Sequence, residues 1–341
     1  MKKLSFVIPC YRSADTIGEV VAEITRAMQT ELFSGGARVS AATEARTDAV
    51  KITSERESYD YEIILVCDGS PDNTFQVIRE ICETDAHVTG MEFTTNFGQH
   101  AALMAGLRAS NGDIVICLDD DGQTPADECY KLIDRIEEGA DVVYASYEHK
   151  QHSGFRNFGT CLNDLMTVKM LGKPKDLHVT SYFAVKRIIV DEMIRYENAY
   201  PYVIGLVLRA TKNIVNVPVE HRKRETGASG YTLKKLFSLW FNGFTSFSVT
   251  PLRISTFCGT LFAVLGFIYG IWTIAKKFIN PDVPLGWSSM MAALMFIGGM
   301  LMLMMGLVGE YVGRIYVNMN AAPQYVVREV VHQEKTELTE R

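Results

Sequence analysis

The sequence lacks any arrangement of cysteines that indicates a disulfide framework or a zinc site. Its seven cysteines are scattered along the chain with no C-x-x-C pair, and most of them lie in apolar runs. Cysteines in such surroundings pack as small apolar side chains. We therefore expect free, reduced thiols and no structural zinc.

A signal peptide is also missing. The segment from Met1 to Pro9 is too short to supply the apolar core of such a peptide, and its pattern is typical of a β-strand. We therefore expect roughly the first 250 residues to stay on the cytoplasmic side, where the chain is synthesised.

Charged residues are absent from two long stretches near the C-terminus. No residue is charged from Ile254 to Ala275 or from Leu285 to Gly309. Each stretch is long enough to cross a hydrocarbon core of about 30 Å as a helix. The sequence therefore predicts a transmembrane hairpin over residues 254–313, with spans at about 254–275 and 285–309. Two buried core helices are the alternative.

The net charge of −6 argues against a nucleic-acid partner, but one segment is strongly basic. Between His221 and Arg253 the only acid is Glu225, whereas the cations are Arg222, Lys223, Arg224, Lys234, Lys235 and Arg253. We expect this segment to face phosphates at the cytoplasmic membrane surface. Lys276 and Lys277, between the predicted spans, oppose that orientation under the positive-inside rule.

The first 150 or so residues alternate between short β-branched runs and amphipathic stretches. Strands are predicted at Leu4–Ile8, Glu62–Cys67, Val88–Phe93, Ile114–Leu118 and Val142–Ala145. Helices are predicted near Thr16–Met28, Thr74–Thr84, Gln99–Ala109 and Pro125–Glu138. This alternation predicts an α/β fold with a mostly parallel sheet flanked by helices. Ligands of such sheets bind beyond the carboxyl ends of the strands, where Pro9–Tyr11, Asp68–Ser70 and Asp119–Asp121 fall.

Three adjacent carboxylates, Asp119, Asp120 and Asp121, follow the fourth predicted strand directly. Each pair repels by roughly 1 kcal/mol or more in partly wet surroundings, so a divalent cation would compensate their charge. Oxygen ligands of this kind suit Mg²⁺ or Mn²⁺ shared with a diphosphate. A solvated acidic turn is the alternative interpretation.

A second acidic turn follows the second predicted strand, at Asp68 in the run Val66-Cys-Asp-Gly-Ser70. Gly69 permits a tight turn there, and Asp68 can accept hydrogen bonds from a base or a ribose. Such turns are common in proteins without any ligand. Its position beside the other strand ends favours a role in binding.

Together these motifs resemble the family-two glycosyltransferases with the GT-A fold, in particular the polyprenyl-phosphate sugar transferases related to dolichyl-phosphate mannose synthase. The resemblance rests on Val7–Tyr11, Val66–Ser70, Asn96–Gly98, Leu118–Pro125, His221–Tyr231, Pro251–Arg253 and Gly309–Tyr316. It covers nearly the whole chain. Thr95 and Cys67 stand where the family has Arg and Asp.

The resemblance implies a role for each matching residue. The residues implied to bind the nucleotide are Pro9, Tyr11, Asp68, Asn96, Asp119 and Asp120. A UDP-sugar is the donor that the family favours. Asp121 and Asp119 are implied to bind the metal ion, Mg²⁺ or Mn²⁺. Catalytic roles fall to Asp121, to Gln123 near the sugar, and to Asp176, the best match for the family's later Asp, often proposed as a base.

The acceptor is predicted to be the phosphate of a polyprenyl lipid, undecaprenyl or dolichyl phosphate. Arg222, Arg224 and Ser229 match the acceptor segment of the family. The planar guanidinium of Arg pairs well with phosphate oxygens, which supports the same assignment. A general basic patch for the membrane surface is the alternative.

The resulting prediction is an inverting membrane glycosyltransferase and homo-oligomer. Residues 1–230 form its cytoplasmic catalytic domain, with a surface insertion at 33–60. Residues 231–253 form an interfacial amphipathic segment, and 314–341 a cytoplasmic tail after the hairpin. The alternatives are a membrane glycosyltransferase acting on a polysaccharide or glycolipid, and a non-catalytic scaffold that retains the fold. A processive synthase is disfavoured by the absence of an Arg-Trp pair, and a transporter by the uncharged spans.

Overall fold

The computed structural model describes residues 2–29, 59–147, 173–174, 176–220, 250–279, 286–320 and 322–333. The chain divides into two compact units. One unit comprises Met1–Tyr231 together with Pro323–Arg341, and the other comprises Thr232–Ala322.

The first unit is built on an eight-stranded sheet. Its strands are β1 (Lys2–Cys10), β2 (Tyr59–Cys67), β3 (Val88–Phe93), β4 (Ile114–Cys117), β5 (Val142–Ser146), β6 (Phe183–Lys186), β7 (Ile214–Pro218) and β8 (Val327–His332). The order across the sheet is β7-β5-β6-β4-β1-β2-β3-β8. The pairs β1–β2, β1–β4, β2–β3 and β5–β7 are parallel, whereas β6 and β8 pair antiparallel with their neighbours. The predicted mostly parallel sheet is confirmed.

Helices flank this sheet, also as predicted. They are α1 (Ile17–Met28), α2 (Thr74–Thr84), α3 (Gln99–Ala109), α4 (Cys129–Glu137), α5 (Arg187–Met193) and α6 (Val203–Ala210). In α1, Ile17, Val21, Ile24 and Met28 recur every three or four residues, and all are buried. This spacing puts them on one face of the helix, which packs onto the core.

Helix α3 lies against β1 and β2 at the centre of the sheet. It is apolar over most of its length, with Ala101 to Leu107 buried. Its small residues allow the close approach, since a Cβ added to Gly106 would lie 2.3 Å from Cγ1 of Val7. The start of α3 is thereby held over the carboxyl ends of the central strands.

Two segments differ from the sequence-based boundaries. Strand β2 begins at Tyr59, so the end of the predicted 33–60 insertion belongs to the sheet, where Tyr59 pairs with Lys2; residues 30–58 lie outside the described part. Residues 314–341, predicted as a tail, contain the end of a helix up to Met319 and the edge strand β8. Strand β8 was missed because it is short and mixes valines with charged residues without the strict alternation that marks a strand.

The second unit contains two long helices, α7 (Thr250–Ile279) and α8 (Trp287–Met319). Among the described residues, one helix holds a stretch that is long and apolar enough to cross a membrane. This stretch is Phe296–Gly313 of α8, with a mean hydropathy of 1.5, and α7 holds a shorter apolar stretch, Ser255–Tyr269. Most of the predicted interfacial segment 231–253 lies outside the described residues.

We predict that Gly106→Ala destabilises the first unit whereas Gly18→Ala stabilises it. At Gly106 the added methyl group meets Val7, and overpacking of this kind costs about 1–3 kcal/mol against a gain of about 1 kcal/mol in helix propensity. Nothing lies within 4 Å of a Cβ added at Gly18 of α1, so only the propensity gain applies there. Thermal unfolding of both variants measures the difference, and equal shifts in Tm would contradict the close packing at Gly106.

Candidate active site

The carboxyl ends of β1, β2 and β4 lie side by side at one edge of the sheet, and the space beyond them is called the crevice below. The N–H of Asp68, directly after β2, donates to the carbonyl of Cys10 at the end of β1 (3.0 Å). The N–H of Leu118, directly after β4, donates to the carbonyl of Val7 (3.3 Å). The sequence placed three acidic or polar turns at this edge, and the structure brings them together.

Asp68 holds the loop that precedes α3. Its side chain is buried, and its two carboxylate oxygens accept the N–H groups of Phe97 (2.7 Å) and Gly98 (2.8 Å). Burial raises the pKa of Asp68, and these two hydrogen bonds oppose that shift. The amide of Asn96 donates to the carbonyl of Asp68 (3.1 Å). Asp68 therefore fixes the loop against the end of β2.

Glycine is required at position 69, where the turn after β2 touches the loop before α3. Its φ is +57°, and an added Cβ would lie 2.3 Å from the carbonyl carbon of Thr95. A larger residue is excluded both by this backbone conformation and by the neighbouring chain. The turn after β2 and the loop before α3 are therefore packed directly against each other.

Asp120 joins the ends of β4 and β1. Its Oδ2 accepts the N–H of Tyr11 (3.0 Å), and its carbonyl accepts the hydroxyl of Thr16 (2.6 Å). Arg12, which follows Tyr11, has a φ of +58°, and its N–H donates to the hydroxyl of Ser70 (2.9 Å). Tyr11 itself is 44% exposed. Pro9, in contrast, is buried within β1.

Asp119 is held by two side chains from distant segments. Gln99, the first residue of α3, donates to Oδ1 at 3.0 Å, and the hydroxyl of Ser181 donates to Oδ2. Burial raises the pKa of Asp119 to about 6; the Ser181 hydrogen bond opposes that shift, and the charges of Asp121 and Asp120 add to it.

Asp121 and Gln123 lie half-buried in the turn beyond Asp119. Asp121 Oδ1 accepts the N–H of Gln123 (3.1 Å), and Gly122 between them has a φ of +69°. Tyr147 directly follows β5, and burial raises its pKa, with smaller contributions from the charges of Asp119 and Asp121. The strand-end rule that found the aspartates also finds Tyr147.

Sequence reasoning missed Ser181 and chose Asp176 from the same stretch. Strand β6 pairs antiparallel with β4, and its first residue, Phe183, lies opposite Cys117. The residues just before β6 therefore lie beside Asp119, which follows β4. Asp176 is exposed further back in that stretch, and its catalytic role stays a prediction. Arg222, Arg224 and Ser229 lie outside the described residues.

The carboxylates fit the predicted divalent cation only in a site where substrate phosphates and water supply the remaining ligands. In the described part of the chain, no cluster of three or more His, Cys, Asp or Glu is arranged to enclose a metal ion. Mg²⁺ commonly takes one or two carboxylates together with substrate phosphates and water. Burial chiefly raises the pKa of Asp119, and the charge of Asp121 adds to that shift; such an ion would relieve the repulsion between the two carboxylates.

Two family models match the chain. The model described as glycosyl transferase family 2 matches residues 5–189, which include every strand end of the crevice. The model described as the GtrB C-terminal hairpin matches residues 250–315, which cover α7 and most of α8.

Curated relatives match nearly the full length. The undecaprenyl-phosphate 4-deoxy-4-formamido-L-arabinose transferase of Klebsiella pneumoniae (strain 342) is 32% identical over 340 residues, covering 98% of this chain and 96% of that protein. The protein of the same name from Yersinia pestis (strain Pestoides F) is 32% identical over 341 residues, covering 99% and 96%.

A solved structure also resembles the chain, at low similarity. It is glucosyl-3-phosphoglycerate synthase from Mycobacterium tuberculosis in complex with Mn²⁺, UDP-glucose and phosphoglyceric acid. The identity is 18% and the TM-score 0.46, with 70% of this chain and 76% of that chain covered. The family match and the full-length relatives decide the assignment: the chain belongs to glycosyl transferase family 2 and is a glycosyltransferase.

Proposed function

We propose that the chain transfers a sugar from a nucleotide-sugar donor to the phosphate of a polyprenyl lipid at the cytoplasmic membrane face. The observation that carries this proposal is the crevice where Asp68, Asp119 and Asp120 meet at three strand ends. Full-length relatives named as undecaprenyl-phosphate transferases support the choice of acceptor.

The nucleotide would bind between the ends of β1 and β2. Tyr11 is exposed, and the guanidinium of Arg12 lies over its ring at 5.6 Å from the centroid, so a base would stack on the opposite face. Asp68 uses one lone pair on each oxygen for the loop N–H groups, and the remaining lone pairs can accept hydrogen bonds from a base or ribose. The loop with Asn96 closes this side of the crevice. UDP is the nucleotide that we propose.

The diphosphate would lie near the acidic turn. Asp121 and Asp119 would hold Mg²⁺ or Mn²⁺, which when bound neutralises the charge on the leaving diphosphate. Gln99 and Ser181 keep the Asp119 carboxylate in one orientation. Asp120 is engaged with the Tyr11 amide, so its role is to fix the turn.

The proposed reaction is a single displacement with inversion. An oxygen of the lipid phosphate attacks the anomeric carbon, a new C–O bond forms, and the bond to the nucleoside diphosphate breaks. The second pKa of a phosphate monoester is about 6, so the nucleophile is already mostly ionised at pH 7 and no proton has to be removed. The residues of the site act mainly by positioning the two substrates. Asp176 would orient the acceptor or the sugar.

The acceptor requires a membrane-bound enzyme. We propose that α7 and α8 both span the bilayer as a hairpin, which agrees with the hairpin model that matches residues 250–315 and with the apolar stretch Phe296–Gly313. Arg222, Arg224 and Ser229 would bind the lipid phosphate at the cytoplasmic surface, because they precede α7 in a basic segment.

A transfer assay tests the proposal. Purified full-length protein is incubated with undecaprenyl phosphate, Mg²⁺ or Mn²⁺, and a panel of UDP-sugars that includes UDP-4-deoxy-4-formamido-L-arabinose. We expect a sugar-phosphate lipid and free UDP from at least one donor. Asp121→Asn should abolish the product without unfolding the protein, since a neutral amide does not balance the cation.

The alternatives predict different outcomes. Transfer to a glycan or glycolipid but not to undecaprenyl phosphate would point to another acceptor. No cleavage of any nucleotide sugar would favour a non-catalytic scaffold. Near-normal turnover of Asp121→Asn would contradict the metal assignment.

Ser181→Ala should lower the rate of transfer while leaving the protein folded. A hydrogen bond to a charged carboxylate contributes about 1.5–3 kcal/mol, so we expect at least a roughly tenfold loss in kcat if Ser181 orients Asp119. Thr180→Ala is the matched control, because the hydroxyl of Thr180 donates to the carbonyl of Ala145 (2.9 Å) and not to the acidic turn. Equal losses in the two variants would contradict this role.

A cysteine at Asp282, between α7 and α8, should lie across the membrane from the catalytic domain. Two spans in series return the chain to its starting side, so the connecting loop faces outward. In intact cells, Asp282→Cys should react with an impermeant thiol reagent, whereas Ala86→Cys, on the exposed surface before β3, should react only after permeabilisation. Labelling of both residues only after permeabilisation would contradict the hairpin.

A further inference from the structure

The segment after helix α8 returns to the catalytic unit and lies against the loop that binds Asp68. The carbonyl of Val326 accepts the N–H of Thr94 (3.0 Å), and the guanidinium of Arg328 donates to the carbonyl of Thr94 (3.1 Å). Thr94 directly follows β3 and begins the loop that runs to Gly98. This segment therefore binds the first residue of the loop through both its N–H and its carbonyl.

Three aromatic rings continue the contact toward the crevice. The ring of Tyr325 is stacked on that of Phe93, with centroids 5.1 Å apart and planes 7° apart. Phe93 is fully buried and meets Phe97 edge-to-face at 5.8 Å. Phe97 donates its N–H to Asp68 at 2.7 Å. Tyr325 is thus connected to the proposed nucleotide site through two packed rings and one hydrogen bond.

Arg108 of α3 fixes the position of Tyr325. Its Nη1 donates to the hydroxyl of Tyr325 (3.2 Å) and to Oε1 of Gln324 (2.9 Å), and its Nη2 donates to the carbonyl of Tyr196 (2.8 Å). The buried Gln324 donates in turn to the carbonyl of Asn198 (2.9 Å). With this many partners in a half-buried place, the ring of Tyr325 has one well-defined orientation.

The rest of β8 makes contacts of another kind. Its strand pairing with β3 covers Thr89 to Phe93 and shifts register between Glu92 and Phe93. The Arg79–Glu329 ion pair on its outer side is largely exposed, and such pairs contribute little to stability. The part-buried side-chain hydrogen bonds of Gln324 and Tyr325 lie before β8, where the segment meets the loop.

We propose that Tyr325, held by Arg108 and Gln324, is a positioning residue for donor binding that supports the Asp68 loop through Phe93 and Phe97. The inference rests on the proposed nucleotide site. It predicts that the loop keeps its binding conformation only when the flat ring of Tyr325 supports Phe93. It assigns a role to the chain beyond α8 that the family motifs do not include.

Binding of UDP to the purified full-length protein with Mg²⁺, measured by calorimetry, tests this role. Tyr325→Ala should weaken UDP binding by roughly three- to tenfold, the range expected for loss of one aromatic pair. Tyr325→Phe keeps the stacked ring and should restore the affinity to within about twofold. The KM for undecaprenyl phosphate should stay unchanged in both variants.

Val330→Ala is the matched control, because Val330 lies in the middle of β8, is half-exposed, and pairs with Met91 away from the loop. It should leave the UDP affinity unchanged. If Tyr325→Ala does not fold, as judged by its Tm, Tyr325→Leu replaces it, since leucine fills the space without a flat ring and should still weaken UDP binding.

Unchanged UDP affinity in the folded Tyr325→Ala or Tyr325→Leu variant would overturn the inference, as would an equal loss in Val330→Ala. A rise in the KM for undecaprenyl phosphate that matches the loss of UDP affinity would also overturn it. If the wild-type protein does not bind UDP, the series is repeated with the diphosphates of guanosine, cytidine, thymidine and adenosine. Failure of the wild-type protein with all five would overturn the proposed function itself.

Discussion

The parallel alignment of β1 with β2 and β4 is the constraint on which the site depends. The register pairs Cys10 with Cys67, so β1 and β2 end at the same level, and it pairs Cys117, the last residue of β4, with Val7 of β1. Parallel neighbours deliver the residues that follow them to the same edge of a sheet. Side chains that are far apart in sequence therefore converge at this edge of the sheet.

This convergence concentrates negative charge in a partly buried place, which is unfavourable unless donors compensate it. The donors come from every surrounding element: the Tyr11 amide after β1, Gln99 at the start of α3, and Ser181 before β6. Each hydrogen bond fixes one carboxylate and, at the same time, one segment of backbone. The hydrogen bonds that compensate the charge of the acidic turn thus also hold the surrounding loops in place.

The sequence predicted the central sheet and its helices because their apolar periodicity is strong and local. It also predicted that Asp68 and Asp119 lie at strand ends, because the residues after a buried strand can be identified from the sequence alone. Ser181 depends on the antiparallel placement of β6 beside β4, which no local pattern specifies. Strand β8 is short, charged on its outer side and far from β3 in sequence, so its pairing emerges only in the folded chain.

The position of β8 at the end of the chain also sets an order of assembly. Since synthesis proceeds from the N-terminus, the outer edge of β3 has no partner until α7 and α8 have been made. An unpaired strand edge is a site of aggregation and of attack by proteases. A chain that stops before Val327 would therefore leave a recognisable defect in the sheet. The sheet of the catalytic unit is therefore complete only after both long helices have been translated.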